Sequence, residues 1–132
     1  MFLASTCFNA TLRNVNTLGE TNAVKRIGST LERFKTEQSV QALGTCGVIT
    51  EMYLITDVVR KTTFTEVKID DGIDQLTVAL PFNKISEYNL GDVILVTVKN
   101  KILVNTPEVV IYDTLRSEKL GTVMETDIPV KS

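Results

Sequence analysis

Between Thr62 and Tyr112 the sequence is a succession of short apolar and β-branched runs, each broken by a turn signal. That pattern predicts the last four strands of a small β-barrel. Thr62–Asp70 is followed by Asp71-Gly72, a two-residue hairpin signal because both central positions of such turns favour positive φ. Ile73–Leu80 follows, then a link through Pro81–Tyr88, and Leu90-Gly91-Asp92 opens the long run VILVTVKNKILV. This turns at Asn105-Thr106-Pro107 and returns as Val109–Tyr112.

Strict alternation assigns the faces. Thr63, Thr65, Val67 and Ile69 point inward in one strand, Leu76, Val78 and Leu80 in the next, and Ile94, Val96 and Val98 in the long run. Phe64, Glu66 and Lys68 then face outward, as do Gln75, Thr77 and Ala79. Lys99-Asn100-Lys101 interrupts the alternation as a bulge does, and Ile102 and Val104 resume it. Phe82–Tyr88 has the spacing of about two helical turns, with Phe82, Ile85 and Tyr88 on one side to plug the barrel. Upstream, Val48–Ile55 is the first barrel strand, Gly47 marks a bend or bulge at its start, and Thr56–Lys61 is the loop after it.

The first 45 residues read as an arm. Phe2, Ala4, Thr6, Phe8, Ala10 and Leu12 alternate with more polar positions, which predicts an extended segment. Val24, Ile27, Leu31 and Phe34 share one face of a following helix, capped by Thr21 or Asn22, or started at Ser29 by its capping-box spacing to Glu32. The other face is charged and reads as a solvated surface or as a partner or phosphate contact. The expected layout is an arm over 1–45 with one strand and one helix, a mainly β, five-stranded Greek-key barrel over 46–114, and a polar C-terminal tail over 115–132.

Chemistry is constrained mostly by what is missing. Without histidine there is no Ser-His or Cys-His pair, and no glycine-rich phosphate loop occurs, so no catalytic residue, cofactor or metal site is predicted. Cys7 and Cys46 match no metal spacing and read as free thiols, with a disulfide pinning the arm to the barrel as the alternative. Asp70, Asp71 and Asp74 read as turn residues that repel phosphate at their end of the sheet. Net charge is −2, although the arm is basic, with Arg13, Lys25, Arg26, Arg33 and Lys35 against Glu20, Glu32 and Glu37. No apolar run is long enough for a spanning helix and no secretory leader is evident, so the reading is an intracellular protein, cytoplasmic or with the genome, that is not secreted and not in a membrane.

The segments GVITEM, FTEVKIDDGIDQLTVAL and NLGDVILVTVKNKILV, in that order, resemble the oligonucleotide/oligosaccharide-binding (OB) fold, and more narrowly the barrels of replication protein A and archaeal single-stranded-DNA-binding proteins. The resemblance covers residues 47–112, about half the chain, and the chain departs from it in having no tryptophan and no zinc-binding cysteine set. It implies an OB-fold that binds single-stranded nucleic acid, in the first place DNA, across the face of the second and third barrel strands. Carried over residue by residue, that face offers Phe64, Lys68, Gln75 and Thr77, with Tyr53 at its edge, Arg60 and Lys61 in the first loop, and Lys99 and Lys101 at the bulge. A strand bound there is expected to run toward the Arg60 and Lys61 end. The alternative is an OB-fold assembly module with no nucleic-acid role, docking a protein partner or forming a homo-oligomer through the arm.

Overall fold

The computed structural model describes residues 24–59 and 61–122. The extended segment expected over 2–12, Cys7 and Arg60 lie outside the described residues. The elements are β1 (Val24–Lys25), α1 (Ile27–Thr36), β2 (Ala42–Asp57), β3 (Thr62–Asp70), β4 (Gln75–Pro81), α2 (Lys84–Glu87), β5 (Asp92–Asn105) and β6 (Val110–Thr122). The protein is mainly β. Thr65, Val67 and Ile69 of β3, Leu76, Val78 and Leu80 of β4, and Ile94, Val96 and Val98 of β5 are all buried, as the alternation predicts.

Strand pairing runs β2-β3-β4-β6-β5, and β5 pairs back onto β2, so five strands close into a ring. Within the ring β4–β6 is the parallel pair, while β2–β3, β2–β5, β3–β4 and β5–β6 are antiparallel. Closure depends on the length of β2. Its first half, Ala42–Val48, pairs with β5, and its second half, Val48–Asp57, pairs with β3, with Val48 shared. At this change of partner a Cβ on Gly47 would lie 3.0 Å from the Asp70 carbonyl oxygen and 3.1 Å from the Asp70 nitrogen. Gly47 therefore permits a close backbone approach inside the strand, and the bulge itself lies between Ile49 and Glu51.

Two elements complete the core. Ile27, Thr30 and Phe34 of α1 are buried, and the Phe34 ring stacks on Tyr112 with centroids 6.1 Å apart. The helix starts at Ile27, after Arg26, so neither the Thr21 or Asn22 cap nor the Ser29 start is used, and Val24 belongs to a short strand pairing with Gly44 of β2. In the first turn a Cβ on Gly28 would lie 2.6 Å from Asp74 Oδ2, the end of a flexible side chain. From the β4–β5 link, Tyr88 enters the core at 5% exposure, and its hydroxyl lies 2.9 Å from Ser117 Oγ.

Several local expectations are corrected. The link holds a single helical turn, and Phe82 is 62% exposed rather than a plug. Its carbonyl accepts the Thr65 hydroxyl at 2.9 Å, which fixes the backbone with the ring outward. Asp71-Gly72 is not a two-residue hairpin. Asp70 pairs with Gln75 across a four-residue loop, in which only Gly72 has positive φ, at 94°. Thr63 and Ile102 are exposed instead of inward, because the β2–β3 and β5–β6 hairpins outrun the ring there. The closing strand continues to Thr122, ten residues beyond the predicted Tyr112. The predicted bulge is present, as the β5–β6 register shifts between Val98 and Ile102.

Candidate functional site

The register of β2, β3, β4 and β6 sets out the outward face in rows. Glu51, Lys68, Thr77 and Ile111 form one, Tyr53, Glu66, Ala79 and Asp113 the next, and Ile55, Phe64 and Pro81 the third. Rows are about 7 Å apart along the strands and neighbours about 4.8 Å apart across them. Thr77 and Ala79 are buried although they point away from the core. Two clefts open beside them toward the β5–β6 hairpin, Thr77 lining one and Ala79 the other, and together they make up the trough.

The trough has two ends of different chemistry. One is a cleft of about 420 Å³ lined by Lys35 and Leu31 of α1, Lys68, Gln75 and Thr77 of the sheet, and Glu108–Val110 of the hairpin turn. The other, about 350 Å³, has Phe64, Ala79 and Pro81 on the sheet side, Leu103 and Val104 on the hairpin side, and the carboxylates of Asp57 and Asp113 at its edges. Lysines thus lie at the end expected to be acidic, and aspartates at the end expected to be basic.

The acidic turn spends its carboxylates on its own architecture. Asp71 is fully buried and its carboxylate accepts the backbone N–H groups of Ile27, Ile73 and Asp74. Asp70 accepts the Gly72 N–H and the Gln75 side-chain amide. The Asp71 contacts to Arg26 and Ile27 hold the start of α1 against the β3–β4 loop, and that docking brings Lys35 to the trough.

The predicted residues separate into groups. Phe64, Lys68 and Thr77 share the face, Gln75 lies at its end, and Tyr53 lies on its β2 edge. Lys61 sits in the exposed β2–β3 turn at φ 56°. Lys99 and Lys101 line a separate cleft of about 350 Å³ with Gln38, Gln41 and Leu115. Lys99 reaches back toward the face, its Nζ 3.2 Å from Asp113 Oδ2.

Carboxylates share this surface with the cations. Lys68 Nζ is 3.3 Å from Glu51 Oε2, and the Tyr53 hydroxyl donates to Glu51 Oε1 at 3.2 Å. That hydrogen bond and the Glu51 charge push the Tyr53 phenol above its ordinary pKa. Partial burial, then the Glu51 charge, raise the Glu66 carboxyl against the opposing pull of Lys68. The sequence reading missed Lys35, Asp57 and Asp113 as trough residues. The charged face of α1 was a usable signal for Lys35; nothing local marks Asp113, which reaches the trough only through the parallel β4–β6 pairing.

Among the described residues no group of three His, Cys, Asp or Glu is placed to hold a metal ion, and no helix is long and apolar enough to cross a membrane. No family model and no curated protein matches the chain.

Proposed function

We propose that the chain is an OB-fold module that binds single-stranded nucleic acid, DNA in the first place, along the trough over β3 and β4. The ring order, with its parallel β4–β6 pair, supports the OB assignment. The observation that carries the function is the pair of clefts along the β3–β4 face, one with Phe64 in its lining and the other with Lys35 and Lys68. Such a face suits a flexible strand whose phosphates meet cations while a base lies on the aromatic ring, a contact worth about 1–3 kcal/mol. The reading assigns no catalysis to the chain.

Fluorescence anisotropy of a labelled single strand at low and high salt, with duplex as control, tests this. Binding that weakens with salt at a slope of about −0.7 per phosphate contacted, and a weaker response to duplex, is the expected result. Absence of single-strand binding at low salt overturns it.

A second reading, a protein-docking or self-assembly module, is favoured by a specific observation. Lys68 and Lys99 already face Glu51 and Asp113, while Val58 and Val59 at the β2–β3 turn are 80% and 91% exposed. Light-scattering mass of the full chain and of a variant lacking residues 1–20 tests whether the arm exchanges between copies. An unchanged oligomeric state removes that form of the second reading.

A further inference from the structure

We infer that the open edge of β6 pairs with the same edge of a second copy of this chain, antiparallel and in a register centred on Ser117. The inference rests on the self-assembly reading above and is independent of the nucleic-acid one. β6 has β4 beside it only from Ile111 to Asp113. From Thr114 to Thr122 it pairs with β5 alone. Among the described residues, no backbone–backbone hydrogen bond from residues 115–122 reaches any element other than β5. Leu115, Arg116, Glu118 and Lys119 are exposed, Leu115 at 60%. A strand edge left open over this length is a template for another strand.

Charge along that edge selects the partner and the register. The β5–β6 register shifts on both sides of residues 116–119, which leaves those four as the regular run. Two antiparallel strands related by a two-fold axis place one residue opposite its own copy and its two neighbours opposite each other. Centring on Arg116, Glu118 or Lys119 sets like charges face to face. Centring on Ser117 sets Arg116 of each copy opposite Glu118 of the other, so the favourable pair occurs twice. Both side chains are free for it. Ser117 sits opposite the fully buried Val96 and meets the Tyr88 hydroxyl at 2.9 Å, so it faces inward and its two neighbours face outward. Neither the Arg116 nor the Glu118 side chain has an ion pair or hydrogen bond among the described residues. Lys119, by contrast, is engaged by Asp92, with Nζ 3.4 Å from Oδ1.

The test is the light-scattering mass of the full chain as a function of concentration. A contact of a few residues is weak, so the mass is expected to rise from one chain toward two between about 10 µM and 1 mM. Arg116→Glu and Glu118→Arg each turn both cross-pairs into like charges, and each is expected to weaken association about tenfold. Both positions are exposed, so the unfolding midpoint of either variant should stay with the parent's. In an equimolar mixture of the two variants every cross-pair is again opposite in sign, and association is expected to return to the parent's strength. The double variant, with both charges exchanged, is expected to do the same. A chain that stays monomeric throughout overturns the pairing and the self-assembly reading together. Association that survives both single reversals, or that neither the mixture nor the double variant restores, overturns the β6 edge and leaves self-assembly to another surface.

Discussion

The carboxylate of Asp71 accepts the backbone N–H of Ile27 at 3.0 Å, joining two parts of the chain 44 residues apart. α1 has no side-chain cap of its own, because Arg26 occupies the N-cap position. The acceptor that an Asp, Ser or Thr supplies locally in other helices comes here from the β3–β4 loop. Arg26 returns the contact, donating to the Asp71 carbonyl at 2.8 Å. One buried residue thereby shapes the loop, starts the helix and sets where Lys35 falls beside the trough.

Asp71→Ala is expected to cost about 3 kcal/mol or more, since it leaves three backbone donors without their acceptor in a buried setting. Urea unfolding monitored by circular dichroism gives the value. A loss below about 1 kcal/mol would show that the helix is held by its apolar face alone.

Gly47→Ala probes the change of partner in β2. The added methyl meets the Asp70 backbone at 3.0 to 3.1 Å, and backbone inside a closed ring yields little. About 1–3 kcal/mol of destabilisation is expected, read from the shift in unfolding midpoint at unchanged denaturant slope. A variant as stable as the parent would mean that the ring adjusts at that point.

Thr30 offers the opposite sign. Its Oγ1 is buried with no hydrogen-bond partner among the described residues, so the hydroxyl carries a desolvation cost without return. Thr30→Val keeps the shape and removes the oxygen. It is expected to raise stability by about 1 kcal/mol, seen as a higher thermal midpoint. A lower midpoint would reveal a partner for the hydroxyl.

Cys46 links stability to alkaline pH. Burial, then the Asp71 carboxylate, push its thiol from 9.0 to about 12, with Arg26 opposing. The folded form keeps its proton through this range while the unfolded chain loses it. The contribution is therefore complete below pH 9.0 and is lost as pH rises toward about 12. Cys46→Ala is expected to flatten the fall in unfolding free energy over that window. In a Cys7→Ser background, thiol labelling near pH 8 should proceed only at the rate of opening; rapid labelling of the folded chain would contradict the burial.

The inward alternation of β3, β4 and β5 was legible because it is local: burial on one face of a strand imposes a period of two on Val67, Val78 and Val96 alike. It failed where strands outrun the ring, at Thr63 and Ile102, since the pattern continues after the core has ended. β6 was read as ending at Tyr112 for a related reason. Beyond Asp113 it pairs with β5 alone, so half its backbone edge and much of its surface stay in water, and its residues are correspondingly polar. The phenylalanine and lysine of the outward face could be read from the same alternation. The trough could not, because α1, the β5–β6 hairpin and Asp113 reach it through contacts between residues far apart in sequence.

Glu51 is the carboxylate that most directly opposes strand binding. Its Oε2 lies 3.3 Å from Lys68 Nζ, and both side chains are partly exposed, at 45% and 32%. A pair this open adds little to stability, so Glu51→Gln should fold as the parent does, and the amide oxygen can still accept the Tyr53 hydroxyl. Lys68 is then released to a phosphate, and one negative charge leaves the face. Single-strand affinity at low salt is expected to rise about three- to tenfold, with the salt slope steeper by about 0.7 as one more phosphate is neutralised. Both numbers come from one anisotropy titration repeated across ionic strengths. An affinity and slope unchanged from the parent would mean that Lys68 does not meet the strand, and would direct the search for phosphate contacts to Lys35 and Lys61.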